Sequence, residues 1–365
     1  MKQTSQRIVQ QAIKAEQQGL FSRALPLYQQ AVALGETSAI SAVLRLQPDA
    51  STAELQLWLS KQPFSKSQLA PYWAELGQWQ QLTKAQQHQL QQPFSELHFS
   101  PKSCVLSLQP VLSNLTSARQ WQLLLQQWQQ DSQLSSLPFC LLPPLFIDSA
   151  ALNCSEQKTE RIQCHLPALK QQLQDADFHQ VLLLAGKGGA SYNNGLLQLP
   201  AQSSLALLRH ELSHAFGFLD EYALLPQVAK AECQPGRLTP NLLFSKDDLA
   251  GYQQLWQLEN TELQLTPVAS CNNAGLQAYR VVATDTHMQH YELPMPSLYL
   301  QLIRKQLQKP ELLMPASYYF AYLARQQQDW SAWQHWMQHA AALGYPPAIQ
   351  ALQNSDKTNL SPAAP

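Results

Sequence analysis

A chain of 365 residues exceeds one average domain, so two units, or one domain with substantial appendages, is the expected organisation. Hydrophobic residues at 45% and aromatics at 9% exclude a disordered chain, while a net charge of −1 with only 13% charged residues offers no electrostatic footprint for nucleic acid or an anionic membrane. No apolar run approaches the roughly 18 to 20 residues needed to cross a bilayer, so no membrane span is expected.

Residues 1–99 read as short amphipathic helices broken at Gly19, Gly35, Pro48, Pro63 and Gly77. Within them LYQQAVALGETSAI, from Leu27, lies over WMQHAAALGYPPAI, from Trp336, without a gap; Ala31, Ala33, Leu34, Gly35, Ala39 and Ile40 meet Ala340, Ala342, Leu343, Gly344, Ala348 and Ile349. Small residues let paired helices approach closely, and Leu-Gly suits a helix end that turns into the next helix. Both ends resemble helical-hairpin repeats of the Sel1 and tetratricopeptide kind, which would make residues 1–99 and 309–353 flanking helical segments able to hold a protein partner. The tail, 354–365, reads as disordered.

Between them, residues 100–308 alternate strands with helices, the pattern of an α/β catalytic unit within an α+β chain. Residues 105–112 read as a strand, 117–130 as a helix with Trp121, Leu124, Leu125 and Trp128 on one face, and 139–147 and 181–184 as buried strands. Residues 190–199 read as a turn into a strand forming an exposed edge, which can pair with an extended peptide. The glycines at 186, 188 and 189 lack the Walker pattern and read as a turn.

The chemistry concentrates in His210-Glu211-Leu212-Ser213-His214-Ala215-Phe216-Gly217-Phe218-Leu219-Asp220. Residues four apart share a helix face, so His210 and His214 can direct two imidazoles at one Zn²⁺, with Glu211 placed as general base for a water at the open position. Ser203 or Ser204 can cap the helix. Gly217 permits a turn back to the metal, and Asp220 follows where a third ligand would arrive, with Glu221 as competitor.

HExxHxxGxxD is the metzincin arrangement with Asp in place of the usual third His. HELSHAFGFLDEY resembles bacterial zinc peptidases of the IgA-specific metallopeptidase-like family, over about residues 181–303; in that family the Asp-Glu pair commonly sits one residue further on. The resemblance implies a zincin-like domain with a mixed sheet, one catalytic zinc and a peptide or protein substrate. It also implies a Met turn beneath the metal, for which Met288 is the candidate and Met295 the reserve. Tyr222 and Tyr291 are candidates for stabilising an oxyanion, while His287 and His290 are expected on the surface of the turn.

The function expected is therefore zinc-dependent hydrolysis of peptide bonds; the alternatives are a helical-repeat scaffold with a structural or degenerate zinc site, and a zinc hydrolase acting on another bond, such as an unusual wall peptide. Six cysteines without a CxxC pair suit disulfides, with Cys154 opposite Cys164 and Cys233 opposite Cys271. That layout points to the periplasm or cell envelope although residues 1–18 carry no apolar signal segment; the alternative is a cytoplasmic protein with reduced thiols.

Overall fold

The computed structural model describes residues 2–259 and 261–358. Six helices open the chain: α1 (Lys2–Gln17), α2 (Phe21–Ala33), α3 (Ile40–Arg45), α4 (Thr52–Ser60), α5 (Lys66–Glu75) and α6 (Lys84–Ser95). The breaks expected from glycine and proline fall between helices. Ser51, Ser65 and Thr83 open α4, α5 and α6 with reciprocal capping boxes, each bonded to the Glu or Gln three residues on. Ala12, Ala24, Ala31, Val32, Ile40 and Leu59 belong to the core that α1 to α5 share.

The first sheet is built from β1 (Leu106–Leu112), β2 (Phe139–Leu141), β3 (Leu145–Phe146), β4 (Gln180–Leu184), β5 (Ser191–Asn193) and β6 (Leu196–Leu199). Its order is β2-β1-β4-β6-β5, with β3 also on β1; every pairing is parallel except β5 on β6. Interleaved with the strands are α7 (Leu115–Gln130), α8 (Ser149–Leu152) and α9 (Leu166–Leu173), and α10 (Leu205–His214) follows the last strand. Alternate residues of β1 and β4 enter two different cores. Leu108, Leu112, Leu182 and Leu184 meet Trp121 and Trp128 of α7 and Leu208 and Leu212 of α10, while Val111, Val181 and Leu183 face the other way. Cover on both faces explains why these strands read as unbroken apolar runs.

Two sequence expectations are corrected. Residues 139–147 form two short strands, because Pro143 and Pro144 between them supply no N–H to a ladder. Residues 190–199 form a hairpin turning at Asn194 and Gly195, both with positive φ, so of its two strands β6 is interior and β5 lies at the edge of the sheet.

After α10 come α11 (Pro226–Glu232), β7 (Leu242–Leu243), α12 (Leu249–Trp256), β8 (Thr266–Val268) and β9 (Ala278–Arg280), the three strands forming a small antiparallel sheet, β7-β9-β8. α13 (Ser297–Gln306) adds Tyr299, Leu302 and Ile303 to the core beneath α10. α14 (Ala316–Gln326), α15 (Trp330–Ala342) and α16 (Pro346–Thr358) close the chain, and Ala316, Phe320 and Trp336 share the second core with Val181 and Leu183. The carboxy-terminal hairpin is thus packed onto the back of the sheet. The helix extends beyond residue 354, where the sequence suggested disorder; residues 359–365 lie outside the described residues.

The two matched segments make the same turn. Gly35 and Gly344 have φ of +93° and +82°, and the following N–H reaches back five residues in each, Glu36 to Ala31 and Tyr345 to Ala340.

At Gly195, with φ +89°, an added Cβ would come within 2.5 Å of the Ala316 nitrogen. Gly195→Ala should therefore destabilise the fold by roughly 2–4 kcal/mol through strained backbone and a displaced α14, read as a lower urea midpoint with an unchanged m-value.

Candidate metal centre

Ser204 caps α10, its hydroxyl accepting the Leu207 N–H at 3.1 Å. Leu208 and Leu212 bury one side of the helix against the sheet, and a largely buried ion pair between Arg209 and Asp131 ties it to the end of α7. That leaves His210, Glu211 and His214 to form the site, the two imidazole rings 5.0 Å apart and nearly perpendicular.

The helix stops at His214, and Gly217 takes a left-handed φ of +75° with its N–H on the His214 carbonyl. The chain then doubles back and delivers Asp220, whose Oδ1 lies 3.2 Å from His210 Nε2 and 3.4 Å from His214 Nε2. All three candidate ligand atoms lie within 4.8 Å of one another, so His210, His214 and Asp220 can hold a metal ion. With metal–ligand bonds of about 2.05 Å at tetrahedral angles, neighbouring ligand atoms stand about 3.3 Å apart.

The far side of each ring decides which proton it carries. His210 Nδ1 donates to the His287 carbonyl at 2.7 Å, and His214 Nδ1 donates to the Phe218 carbonyl at 2.8 Å. A carbonyl only accepts, so each neutral ring keeps its proton on Nδ1 and turns the Nε2 lone pair towards Asp220. Asp220 Oδ1, though buried, receives no hydrogen bond among the described residues. Protonation could also reconcile the cluster: burial opposes a charged His214, but Asp220 outweighs it and raises the pKa, while the same histidines overcome burial and hold Asp220 far below the ordinary carboxylate range. The bare Oδ1 and the separations fit a cation better than two hydrogen-bonded imidazolium protons.

Glu211 is almost fully buried, and burial pushes its carboxyl up despite the opposing charges of His214 and His210. Glu221, next to Asp220 in the chain, has a different fate. Tyr299 and Asn241 donate to its Oε1 at 2.6 and 3.1 Å, and Thr286 donates to its Oε2 at 2.8 Å. Glu221 also sends its own N–H to the Met288 carbonyl at 3.0 Å. The structure thus brings Asp220, and not Glu221, to the histidines; Glu221 straps the turn at 286–290 to the segment that carries Asp220.

That turn lies directly behind His210. Met288 is fully buried in the core that holds Leu212 and Phe216, as is Met295 nearby, and Thr286 Oγ1 accepts the Met288 N–H. His287 departs from expectation: it is fully buried, because its carbonyl anchors His210 and its Nε2 meets Ser213 Oγ at 2.9 Å. Burial first, then the nearby His210 and Arg209, pulls its pKa down to about 3, so the ring stays neutral. His290 is exposed.

Tyr222 is 43% exposed with its hydroxyl in hydrogen-bonding reach of Asp220, and burial followed by the Asp220 charge raises its pKa. Tyr291 is 40% exposed and pairs with Glu292 instead. A cleft of about 420 Å³ opens beside Tyr222, lined also by Arg280, Asp285 and His290.

All six cysteines pair at disulfide distance. Cys154–Cys164 and Cys233–Cys271 were expected; Cys104–Cys140 had no motif to announce it and joins the segment before β1 to β2. Cys233–Cys271 fixes α11 beside Ser270, whose hydroxyl holds the Asp220 carbonyl at 2.7 Å. Asn241 grips Leu219 from the other side, accepting its N–H and donating to its carbonyl. Asn241, Ser270, Thr286 and Tyr299 carry no spacing signal, since they converge from four separate segments. Three pairs of this kind suggest an oxidising, extracytoplasmic environment, and no helix among the described residues is long and apolar enough to cross a membrane.

No protein-family model matches the chain, and no curated protein is significantly similar to it.

Removing the strap should loosen the site as well as the fold. Glu221→Ala leaves Tyr299, Thr286 and Asn241 without their shared acceptor, and is expected to cost about 3 kcal/mol of stability. It should also weaken metal binding about ten- to a hundredfold, measured by chelator competition alongside thermal melting.

Proposed function

We propose that the chain is a zinc-dependent peptidase whose ligands are His210, His214 and Asp220 and whose general base is Glu211. The observation that carries this reading is the convergence of two Nε2 lone pairs and the bare Asp220 Oδ1 on one point, with both Nδ1 protons already committed to carbonyls. Two imidazoles and one carboxylate are a donor set for zinc that leaves a coordination position open. The likeness of HELSHAFGFLDEY to metzincins and the IgA-specific metallopeptidase-like family supports the same assignment.

Bound there, zinc supplies Lewis acidity that polarises a carbonyl and lowers the pKa of a water. Glu211, held in a dry site beside both histidines, takes the proton of the attacking water and passes it to the leaving amine. Tyr222, within reach of Asp220, is the better placed of the two tyrosines to donate to the developing oxyanion. Met288 and its turn serve as the Met turn, holding His210 from behind through the adjacent carbonyl. A peptide substrate is supported by β5, whose outer edge no backbone group pairs with among the described residues. Secretion to the periplasm or envelope accords with the three cysteine pairs.

A scaffold with a structural metal has no use for an acid buried beside the ligands, as Glu211 is. Glu211→Gln is expected to retain stoichiometric zinc and lose turnover of a peptide library by a factor of about 10² to 10⁴, whereas His214→Ala should lose the metal itself. Metal analysis coupled to mass-spectrometric detection of cleaved peptides checks both, and wild-type turnover by Glu211→Gln would refute the assignment.

A further inference from the structure

The glycines at 186 and 188 are a seat. An added Cβ at Gly186 would lie 2.7 Å from the Ser155 carbonyl and 3.0 Å from Cys154 Cβ, and one at Gly188 would lie 2.5 Å from the Glu160 carbonyl. Only bare backbone lets the loop between Cys154 and Cys164 settle there. The loop is then bonded on: Lys187 N–H donates to the Ser155 carbonyl, Gly189 N–H to the Glu160 carbonyl, and Ile162 N–H to the Gly189 carbonyl. Arg161 and Gly189 form a parallel bridge, two residues ahead of the start of β5.

Arg161 is thereby set at the end of the free edge strand. It is exposed and forms no ion pair among the described residues, although Glu160 is its neighbour in the chain. β5 in turn packs against α10, the helix that carries His210, Glu211 and His214. An exposed, unpaired guanidinium on an anchored backbone beside an open strand edge suits a carboxylate, since its planar fork matches two oxygens at once.

We propose that Arg161 is a specificity residue: it binds a carboxylate of the substrate, either an acidic side chain near the scissile bond or the terminal carboxylate of a short peptide. This rests on the peptidase reading, which the same experiment tests separately. The Cys154–Cys164 loop and its glycine seat fix the stretch of backbone that carries Arg161 beside the edge.

The probes are Ala/Gly decapeptides carrying a single Asp, Asn or Lys walked along the chain, each with a free-acid and an amidated terminus. Cleavage is followed with zinc-loaded protein, and binding with the Glu211→Gln variant by fluorescence anisotropy. The expected result is a kcat/KM about tenfold or more higher for Asp over Asn at one position, or for acid over amide termini, and which of the two shows it names the source of the carboxylate. Arg161→Ala should bring that ratio to near one, Arg161→Lys should keep part of it, and Arg161→Glu should turn the preference to Lys. Cleavage without any acidic preference, or a ratio that Arg161→Ala leaves intact, overturns the proposal while the peptidase reading stands. Carboxylate-selective binding that is lost in Arg161→Ala, without cleavage by any loaded protein, upholds the receptor and removes the peptidase reading. Neither selective binding nor cleavage overturns both.

Discussion

Two hydrogen bonds govern the site: those from the Nδ1 atoms of His210 and His214 to the carbonyls of His287 and Phe218. They choose the tautomer of each ring, and with it the direction of both lone pairs. Everything else around the site keeps these two carbonyls where they are. The Phe218 carbonyl belongs to the turn that starts at Gly217, and the His287 carbonyl to a turn strapped by Glu221. A buried carboxylate with three hydrogen-bond donors is costly to assemble, since its desolvation is only offset when every partner is in place. The network is thus a reason for one arrangement of the turn to be strongly preferred over others.

The adjacent acids Asp220 and Glu221 show how a chain separates two chemically similar groups. Asp220 faces two imidazoles and is held ionised; Glu221, one residue on, points into the interior among Tyr299, Thr286 and Asn241, and burial raises its carboxyl despite those bonds. One acid meets the ligand cluster and the other meets the core.

Much of this was legible in the sequence. The spacing of His210 and His214, Gly217 as the stop and Asp220 as the returning group follow from helix geometry and glycine's access to positive φ, and the structure places them accordingly. Helix breaks and the buried face of α7 followed from local signals as well. What escaped depends on contacts between distant segments. Periodicity cannot announce that residue 241, 270 or 299 will meet residue 221, nor that His287 is enclosed, because those pairings are set by how the small sheet and α13 fold back over α10. The glycines at 186 and 188 read as a mere turn for the same reason: their requirement is imposed by a loop some thirty residues earlier. The hairpin within residues 190–199 was visible in Asn194-Gly195, a dipeptide suited to a tight turn, and was masked by the apolar residues after it.

Gly195 also joins the first sheet to the carboxy-terminal helices. It lies against the backbone of Ala316, and the Ala316 N–H bonds to the carbonyl of His179, immediately before β4. The first turn of the carboxy-terminal helices is therefore bracketed between the hairpin tip and a central strand of the sheet. Force applied to those helices is transmitted to β5 with no flexible tether to absorb it, so the outermost strand and the terminal helical layer can shift only in concert.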